Sequence, residues 1–193
     1  MSNILIILGH PDKKSFNGAI AAAYYQAAKK AGHSAEQINL GDLKFDPVLR
    51  HGYKKIQKLE PDLVNAQQKI KWADFLVFVF PTWWFNYPAI LKGFIDRAIL
   101  PGFAFKYKEK SFLPLPERYL KGKKSILITT VDGSPWFYRF LGHPGLKSLK
   151  TGVLFFCGVK TSKQIVLGPV KNSSPAKRKK WLGKIAKMAQ KIN

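Results

Sequence analysis

The sequence predicts an α/β fold, with one parallel five-stranded sheet covered on both faces by helices. Three observations carry that prediction. Five strand-like runs alternate along the chain with five segments of helical periodicity, and such alternation implies right-handed βαβ crossovers. The run Phe75-Leu76-Val77-Phe78-Val79-Phe80 is apolar on both faces, as a strand inside a parallel sheet must be. The length, 193 residues, suits one domain over 1–193 and is too short for two of full size.

Residues 3–9 read as the first strand, a short apolar run ending in Gly. The polar turn Gly9-His10-Pro11-Asp12-Lys13-Lys14-Ser15-Phe16-Asn17 follows. Ile20, Ala23, Tyr24, Ala27, Ala28 and Ala31 then share one helix face before Gly32 ends it. Residues 37–40 read as the second strand, and 41–58 as a loop with one helical turn. Pro61 opens a helix that carries Leu63, Ala66, Ile70 and Ala73 on one side. The third strand, 75–80, is stopped by Pro81. Pro88 starts a helix through Ile90, Leu91, Phe94, Ile95 and Ala98. A Pro/Gly-rich excursion covers 100–122. Residues 124–130 read as the fourth strand, 135–156 as a loop followed by a helix, and 159–167 as the fifth strand. Ser174-Pro175 is an N-cap with Pro at the first helical position. The last helix carries Trp181, Leu182, Ile185, Met188, Ala189 and Ile192 inward.

Composition narrows the function. Hydrophobic residues at 46% and aromatics at 13% suffice for a core and exclude wholesale disorder. Cys157 is the single cysteine, so an intrachain disulfide and a Cys-based zinc site are excluded, and a reducing compartment is expected. No basic n-region, long apolar h-region or small-residue cleavage site follows Met1-Ser2-Asn3. The longest strongly apolar run, 75–80, falls far short of the ~20 residues that span a bilayer. The expectation is a soluble, cytoplasmic protein.

The net charge is +22, from 33 Lys+Arg against 11 Asp+Glu, and only five of the basic residues are Arg. Base-specific readers lean on bidentate Arg, so this lysine surface argues against nucleic-acid binding. A solvated surface, attraction of anionic substrates and peripheral contact with an anionic membrane surface all remain open.

Ligands of doubly wound sheets sit at the carboxyl ends of the strands. The candidate site therefore comprises loops 9–17, 81–87 and 130–143. The first loop has neither GxGxxG nor GxxxxGK followed by Ser or Thr, so dinucleotide-binding and P-loop motifs are both excluded. It ends in Ser15 and Asn17 at a helix N-terminus, which suits either a phosphate or ordinary capping by Asn17. The second loop, Pro81-Thr82-Trp83-Trp84-Phe85-Asn86-Tyr87-Pro88-Ala89, gathers four aromatics at a strand end. These suit either a flat conjugated ligand or a hydrophobic plug. The third is Thr129-Thr130-Val131-Asp132-Gly133-Ser134, followed by Tyr138 and His143. Its small residues let backbone N–H groups approach a ligand closely.

Other chemistries lack their residues. His10 and Asp12 supply two candidate ligands without a third, so no metal is expected. His33 and His51 read as surface residues, and Cys157, after four apolar positions, as a buried inert thiol. No GxSxG nucleophile elbow occurs, and so few acids leave no paired carboxylates.

Together these markers resemble the flavodoxin-like NAD(P)H:quinone oxidoreductase family, which includes modulator-of-drug-activity reductases and the ancillary reductases of potassium-efflux systems. Gly9-His10-Pro11 with Ser15-Phe16-Asn17, Pro88-Ala89-Ile90-Leu91-Lys92-Gly93, Phe103-Ala104-Phe105, Thr129-Thr130 and Cys157-Gly158 carry the resemblance, in this order over nearly the whole chain. It implies a flavodoxin-like three-layer sandwich with strand order 2-1-3-4-5. It implies a flavin, FAD with FMN as the alternative, and NAD(P)H as co-substrate in two-electron, ping-pong reduction of quinones or related electron-poor aromatics. It leaves a regulatory subunit of a membrane potassium-efflux system as the alternative function, and it implies a homodimer.

By the same resemblance His10, Ser15, Phe16 and Asn17 hold the flavin's phosphate region. Pro81, Thr82, Trp83, Trp84 and Phe85 line the isoalloxazine, and Thr129, Thr130 and Gly133 contact its pyrimidine side. Tyr138 and His143 form the catalytic charge-relay pair, Arg178 lies near the diphosphate, and the 101–107 loop offers room for an adenine. Two departures stand out. Val131-Asp132 intervenes where relatives carry two glycines, which puts an acid at the pyrimidine edge, and the interval from Tyr138 to His143 is one residue short.

Overall fold

The computed structural model describes residues 1–107 and 116–192. Part of the 100–122 excursion, residues 108–115, lies outside the described residues. In chain order the elements are β1 (Asn3–Leu8), α1 (Phe16–Lys30), β2 (Ser34–Asn39), α2 (Pro61–Trp72), β3 (Phe75–Pro81), α3 (Ala89–Ala98) and a ribbon of β4 (Phe105–Lys106) with β5 (Glu117–Arg118). They continue through β6 (Lys124–Thr130), α4 (Pro135–Phe140), α5 (Pro144–Lys147), a π-helical stretch (Ser148–Phe155), β7 (Lys160–Leu167) and α6 (Pro175–Ala189).

The sheet runs β2-β1-β3-β6-β7 with every pair parallel. Counting only its five strands, this is the expected order 2-1-3-4-5. Strand alternation divides the core into two layers. Ile4, Ile6 and Leu8 of β1 with Val77 and Val79 of β3 face α1 and α6. Leu5, Ile7, Leu76, Phe78 and Phe80 face α2 and α3. Both faces of β1 and β3 are thus covered, which is why their sequences are apolar without alternation.

Three boundaries differ from the sequence reading. Ser15 caps α1, its Oγ accepting from the Gly18 N–H at 3.2 Å. Asn17, the capping candidate of the sequence reading, sits one residue inside the helix with its side chain buried. The second strand begins at Ser34 rather than at residue 37, because pairing starts at Asn3–Ser34 and overrides the polar sequence. Leu40 instead enters a 3₁₀ turn, Leu40–Asp42, in which its own side chain is buried. The first part of 135–156, expected as loop, holds the short helix α4, and the left-handed backbone of Gly142 (φ +71°) and His143 (φ +47°) separates it from the expected helix, which runs from Pro144 through the π-helical stretch.

Two features hold the long 41–58 segment. Arg97 of α3 is fully buried and donates to the Asp46 carbonyl, the Lys58 carbonyl (3.0 Å) and Glu60 Oε2 (2.8 Å). Gly93, one turn earlier, leaves no room for a side chain, since a Cβ would meet the Pro47 carbonyl oxygen at 2.6 Å. Burial pushes the free Cys157 thiol up to about 11, so it stays protonated and inert.

Candidate active site

Crossovers leave β1 toward β2 on one side and return to β3 on the other, so the carboxyl ends of β1 and β3 form the topological switch point. The loops leaving β1, β3 and β6 are tied together there. Gly9 N–H donates to the Val79 carbonyl at 2.8 Å and Thr82 N–H to the Thr130 carbonyl at 2.8 Å. The Thr82 and Thr129 hydroxyls meet at 2.9 Å. Asn17 Nδ2 donates to Thr130 Oγ1 at 3.0 Å, joining α1 to the end of β6.

The first loop ends at a helix N-terminus with unpaired donors. Among the described residues, the backbone N–H groups of Phe16 and Asn17 find no acceptor, and the first turn of α1 carries no acidic residue. Free donors and the positive end of the helix dipole thus coincide. The loop is pressed onto the helix, because a Cβ at Gly18 would overlap the Lys13 carbonyl oxygen. Arg178 stands alongside, its guanidinium 5.7 Å from the Phe16 ring centre and held by Ser173 Oγ (2.8 Å) and the Val170 carbonyl (3.1 Å). Trp181 packs on the same ring at 6.0 Å. The Phe16 side chain therefore belongs to the α1–α6 contact, and only its N–H faces the site. His10 accepts from the Asp12 N–H at 2.9 Å and meets Trp83 edge-on at 5.5 Å.

The second loop is a tight hairpin. Trp83 and Asn86 exchange two backbone hydrogen bonds of 2.8 Å, and between them Trp84 (φ +48°) and Phe85 (φ +59°) both adopt left-handed backbone. Two-residue turns of this kind normally use Asn and Gly; bulky side chains there cost about 1–2 kcal/mol each. The third loop restrains the hairpin. Gly145 N–H donates to the Phe85 carbonyl at 2.9 Å, and a Cβ at Gly145 would lie 2.8 Å from Asn86 Cα. The turn leaves Trp84 in solvent at 99% exposure, while Pro81 is buried and Thr82 half-buried.

The third loop brings Tyr138 and His143 together, ring centres 5.4 Å apart, with Tyr138 also 5.1 Å from Phe85. His143 is 7% exposed and neither ring nitrogen finds a partner among the described residues. Burial holds its pKa below the ordinary value, so the ring is neutral. Thr129 and Thr130 are buried, with their hydroxyls spent on Thr82 and Asn17. The open donors of this loop are the N–H groups of Asp132, Gly133 and Ser134, which carry no hydrogen bond to another described residue. Asp132, expected at a ligand edge, turns away to accept from the Lys171 N–H at 3.1 Å.

Sequence reasoning missed Gly145 and Gly18, whose roles are close approaches between distant segments, and Asn86, which closes the hairpin. A Pro-flanked aromatic run was the available signal for the last. The 101–107 loop follows α3 and pairs through Phe105 with Phe156 (4.9 Å), beside the turn that enters β7 at the sheet's amino end. Within this chain it therefore lies toward the sheet's amino end. Among the described residues no group of three His, Cys, Asp or Glu could hold a metal ion, and no helix is long and apolar enough to cross a membrane.

The neutral His143 gives a testable pH dependence. Its native pKa lies below the unfolded value of about 6.5, so the unfolded state binds the proton first as pH falls. Stability should therefore drop below that point and stay unaffected above it. Asn tolerates left-handed backbone, so denaturant titrations of wild type and His143→Asn at pH 7.5 and pH 5 isolate the effect. The variant should lose less stability on acidification, and an equal loss would show that His143 does not contribute.

The fold and site define a flavodoxin-like α/β protein with an anion-ready helix end and an aromatic hairpin at its switch point. The family of flavodoxin-like fold matches residues 2–192. NAD(P)H dehydrogenase (quinone) 1 of Cavia porcellus is 34% identical over 184 residues, covering 80% of this chain and 64% of that protein, so the chain spans about two thirds of its relative's length. Ribosyldihydronicotinamide dehydrogenase (quinone) of Rattus norvegicus is 31% identical over 205 residues, covering 91% of this chain and 85% of that one. An FMN-dependent NADH-azoreductase from Bacillus anthracis, solved with FMN, shares the fold at a TM-score of 0.74 and 23% identity, with 98% of each chain covered. The chain belongs to the flavodoxin-like NAD(P)H:quinone oxidoreductase family.

Proposed function

We propose that this chain is a flavin-dependent NAD(P)H oxidoreductase that delivers two electrons to quinones or related electron-poor aromatics. One observation carries the reading. A helix N-terminus with free donors and no acid lies at the same switch point as a strained hairpin of aromatics. The first suits a phosphate and the second a flat conjugated ring. The names of the relatives point the same way.

A flavin bound here supplies a carrier that accepts a hydride from NAD(P)H and passes it on. The chain's residues do the rest. Phe16 and Asn17 N–H groups bind phosphate, while Asp132, Gly133 and Ser134 N–H groups face the polar edge of the ring. Trp83 and Phe85 flank the ring, and Trp84 covers the slot that donor and acceptor enter in turn, which makes ping-pong kinetics the expectation. Tyr138 offers its phenol to charge developing on ring and acceptor oxygens, and the neutral His143 orients it. FAD is favoured over FMN because a second phosphate finds Arg178, whose Nη1 is free of hydrogen bonds to other described residues.

Purified protein should be yellow and should oxidise NAD(P)H when a quinone is added. A colourless protein that binds no added flavin would end the reading. Mass identification of the released flavin tests the cofactor separately, since FMN would correct the Arg178 assignment alone. Trp84→Ala should keep the colour yet lower kcat/KM for quinone about fivefold to tenfold, since an aromatic wall contributes roughly 1 kcal/mol. A colourless variant would place Trp84 with the cofactor instead.

We further propose a homodimer that covers these loops. Trp136 and Phe140 stack 5.8 Å apart at 70% and 75% exposure beside the exposed Trp84 and Phe137, an apolar patch of the kind interfaces cover. Light scattering should give twice 21.8 kDa. A fully active single chain would refute the assembly.

A further inference from the structure

No acidic residue follows Asp132, while 13 basic ones do. The fold gathers most of them on one side. Lys177, Lys179, Lys180, Lys184, Lys187 and Lys191 are exposed on and just beyond α6, and Lys160 and Lys163 on the adjoining edge strand β7. None of these eight pairs with a carboxylate among the described residues.

The arrangement runs against local electrostatics in one direction. Lys177, Arg178, Lys179 and Lys180 crowd the positive end of the α6 dipole, and no acid occupies its first turn. Lys177–Lys180, Lys180–Lys184 and Lys184–Lys187 are like charges at neighbouring helical positions, which repel. Rules broken together without an internal compensation mark a surface that meets its counter-charge elsewhere.

We propose that the α6–β7 face docks the protein on anionic phospholipid bilayers. Three features favour a bilayer over other polyanions. The cations form rows about 22 Å long on a convex helix, at 1.5 Å per residue over 15 residues, rather than a groove. They are lysines, and the one arginine among them packs over Phe16, so neither bidentate base readout nor stacking is provided. On this face a cleft of about 540 Å³ is lined by the apolar Phe75, Ile126, Met188 and Ile192, by Thr161 and Ser162, and by the exposed Lys160, Lys163 and Lys191. Apolar side chains beside exposed cations match acyl chain beneath headgroup. The inference goes beyond the reductase reading and does not depend on it, since vesicle binding requires no turnover.

Co-sedimentation of the full chain with vesicles tests it. Vesicles of phosphatidylcholine with a third phosphatidylglycerol should bind the protein at about 0.1 M salt and release it near 1 M, as the Debye length falls from ~10 to ~3 Å. Pure phosphatidylcholine vesicles should not bind it. Replacing Lys179, Lys180, Lys184 and Lys187 with Gln should weaken binding on the order of a hundredfold, whereas the same four-charge change at Lys30, Lys54, Lys55 and Lys121 should shift it by less than about threefold. Removing the repulsion should leave the first variant melting at or above wild type. Equal loss in both variants, binding to neutral vesicles, no vesicle binding, or tighter capture by duplex DNA or polyglutamate at the same salt would each overturn the proposal. A lower melting temperature for the first variant would do so too, by showing that the lysines are compensated within the free protein.

Discussion

Gly18→Ala should destabilise the protein by about 3 kcal/mol, a fall of roughly 6–12 °C in Tm for a chain of this size. Helix propensity gives the opposite sign, since alanine inside a helix is favoured over glycine by about 1 kcal/mol. The structure reverses it. An added Cβ would overlap the Lys13 carbonyl oxygen, and one at Gly41 would overlap the Pro11 carbonyl oxygen, so the 10–14 backbone is clamped between two glycines. Pushing that backbone off α1 also moves the loop that borders the free Phe16 and Asn17 N–H groups. Flavin retention should therefore weaken about tenfold, the loss of ~1.4 kcal/mol. Thermal melts with and without flavin check both effects. An alanine variant that melts higher than wild type would remove the clash from consideration.

Arg97→Met should cost about 3 kcal/mol. The side chain is fully buried, and its removal strands two carbonyls and Glu60. Breaking a buried pair typically costs 3–5 kcal/mol; Glu60 is 28% exposed, so water compensates it in part and the lower end applies. Arg97→Lys should recover little, because one ammonium cannot span three acceptors fixed by a planar fork. Adding Glu60→Gln to Arg97→Met should recover part of the loss by neutralising the stranded carboxylate. Urea titrations read each value, and a cost under about 1 kcal/mol for Arg97→Met would mean that the 46–60 segment holds itself in place.

The strands and long helices were legible because burial of both sheet faces imprints itself directly on sequence. The 75–80 run and the Leu63/Ala66/Ile70 stripe follow from periodicity alone. The fourth strand and the Ser174 cap of α6 were read at the positions where they occur. The 37–40 reading found β2 but started it three residues late and ended it one late, because β2 is a polar strand whose bounds come from pairing with β1 rather than from its own residues. The sequence left Asn17 open as a cap or a ligand contact, because Ser15 and Asn17 are both good capping residues. The choice depends on Thr130, which is 113 residues away and takes the Asn17 amide.

Alternation of apolar strands and helical runs determined this protein's class, its layers and which three loops meet at the switch point, while a charge of +22 and one cysteine narrowed its partners and compartment. Those properties are sums over many residues, so they survive any single misreading. What the site can do was decided by tertiary structure. The left-handed backbone of Trp84, Phe85 and His143, the orphaned His143 nitrogens and the glycines at 18, 93 and 145 all depend on contacts between segments far apart in the chain. No local preference encodes them, and most local preferences oppose them. Bulky residues avoid positive φ and buried rings seek partners, so such features persist only where the surrounding fold holds them.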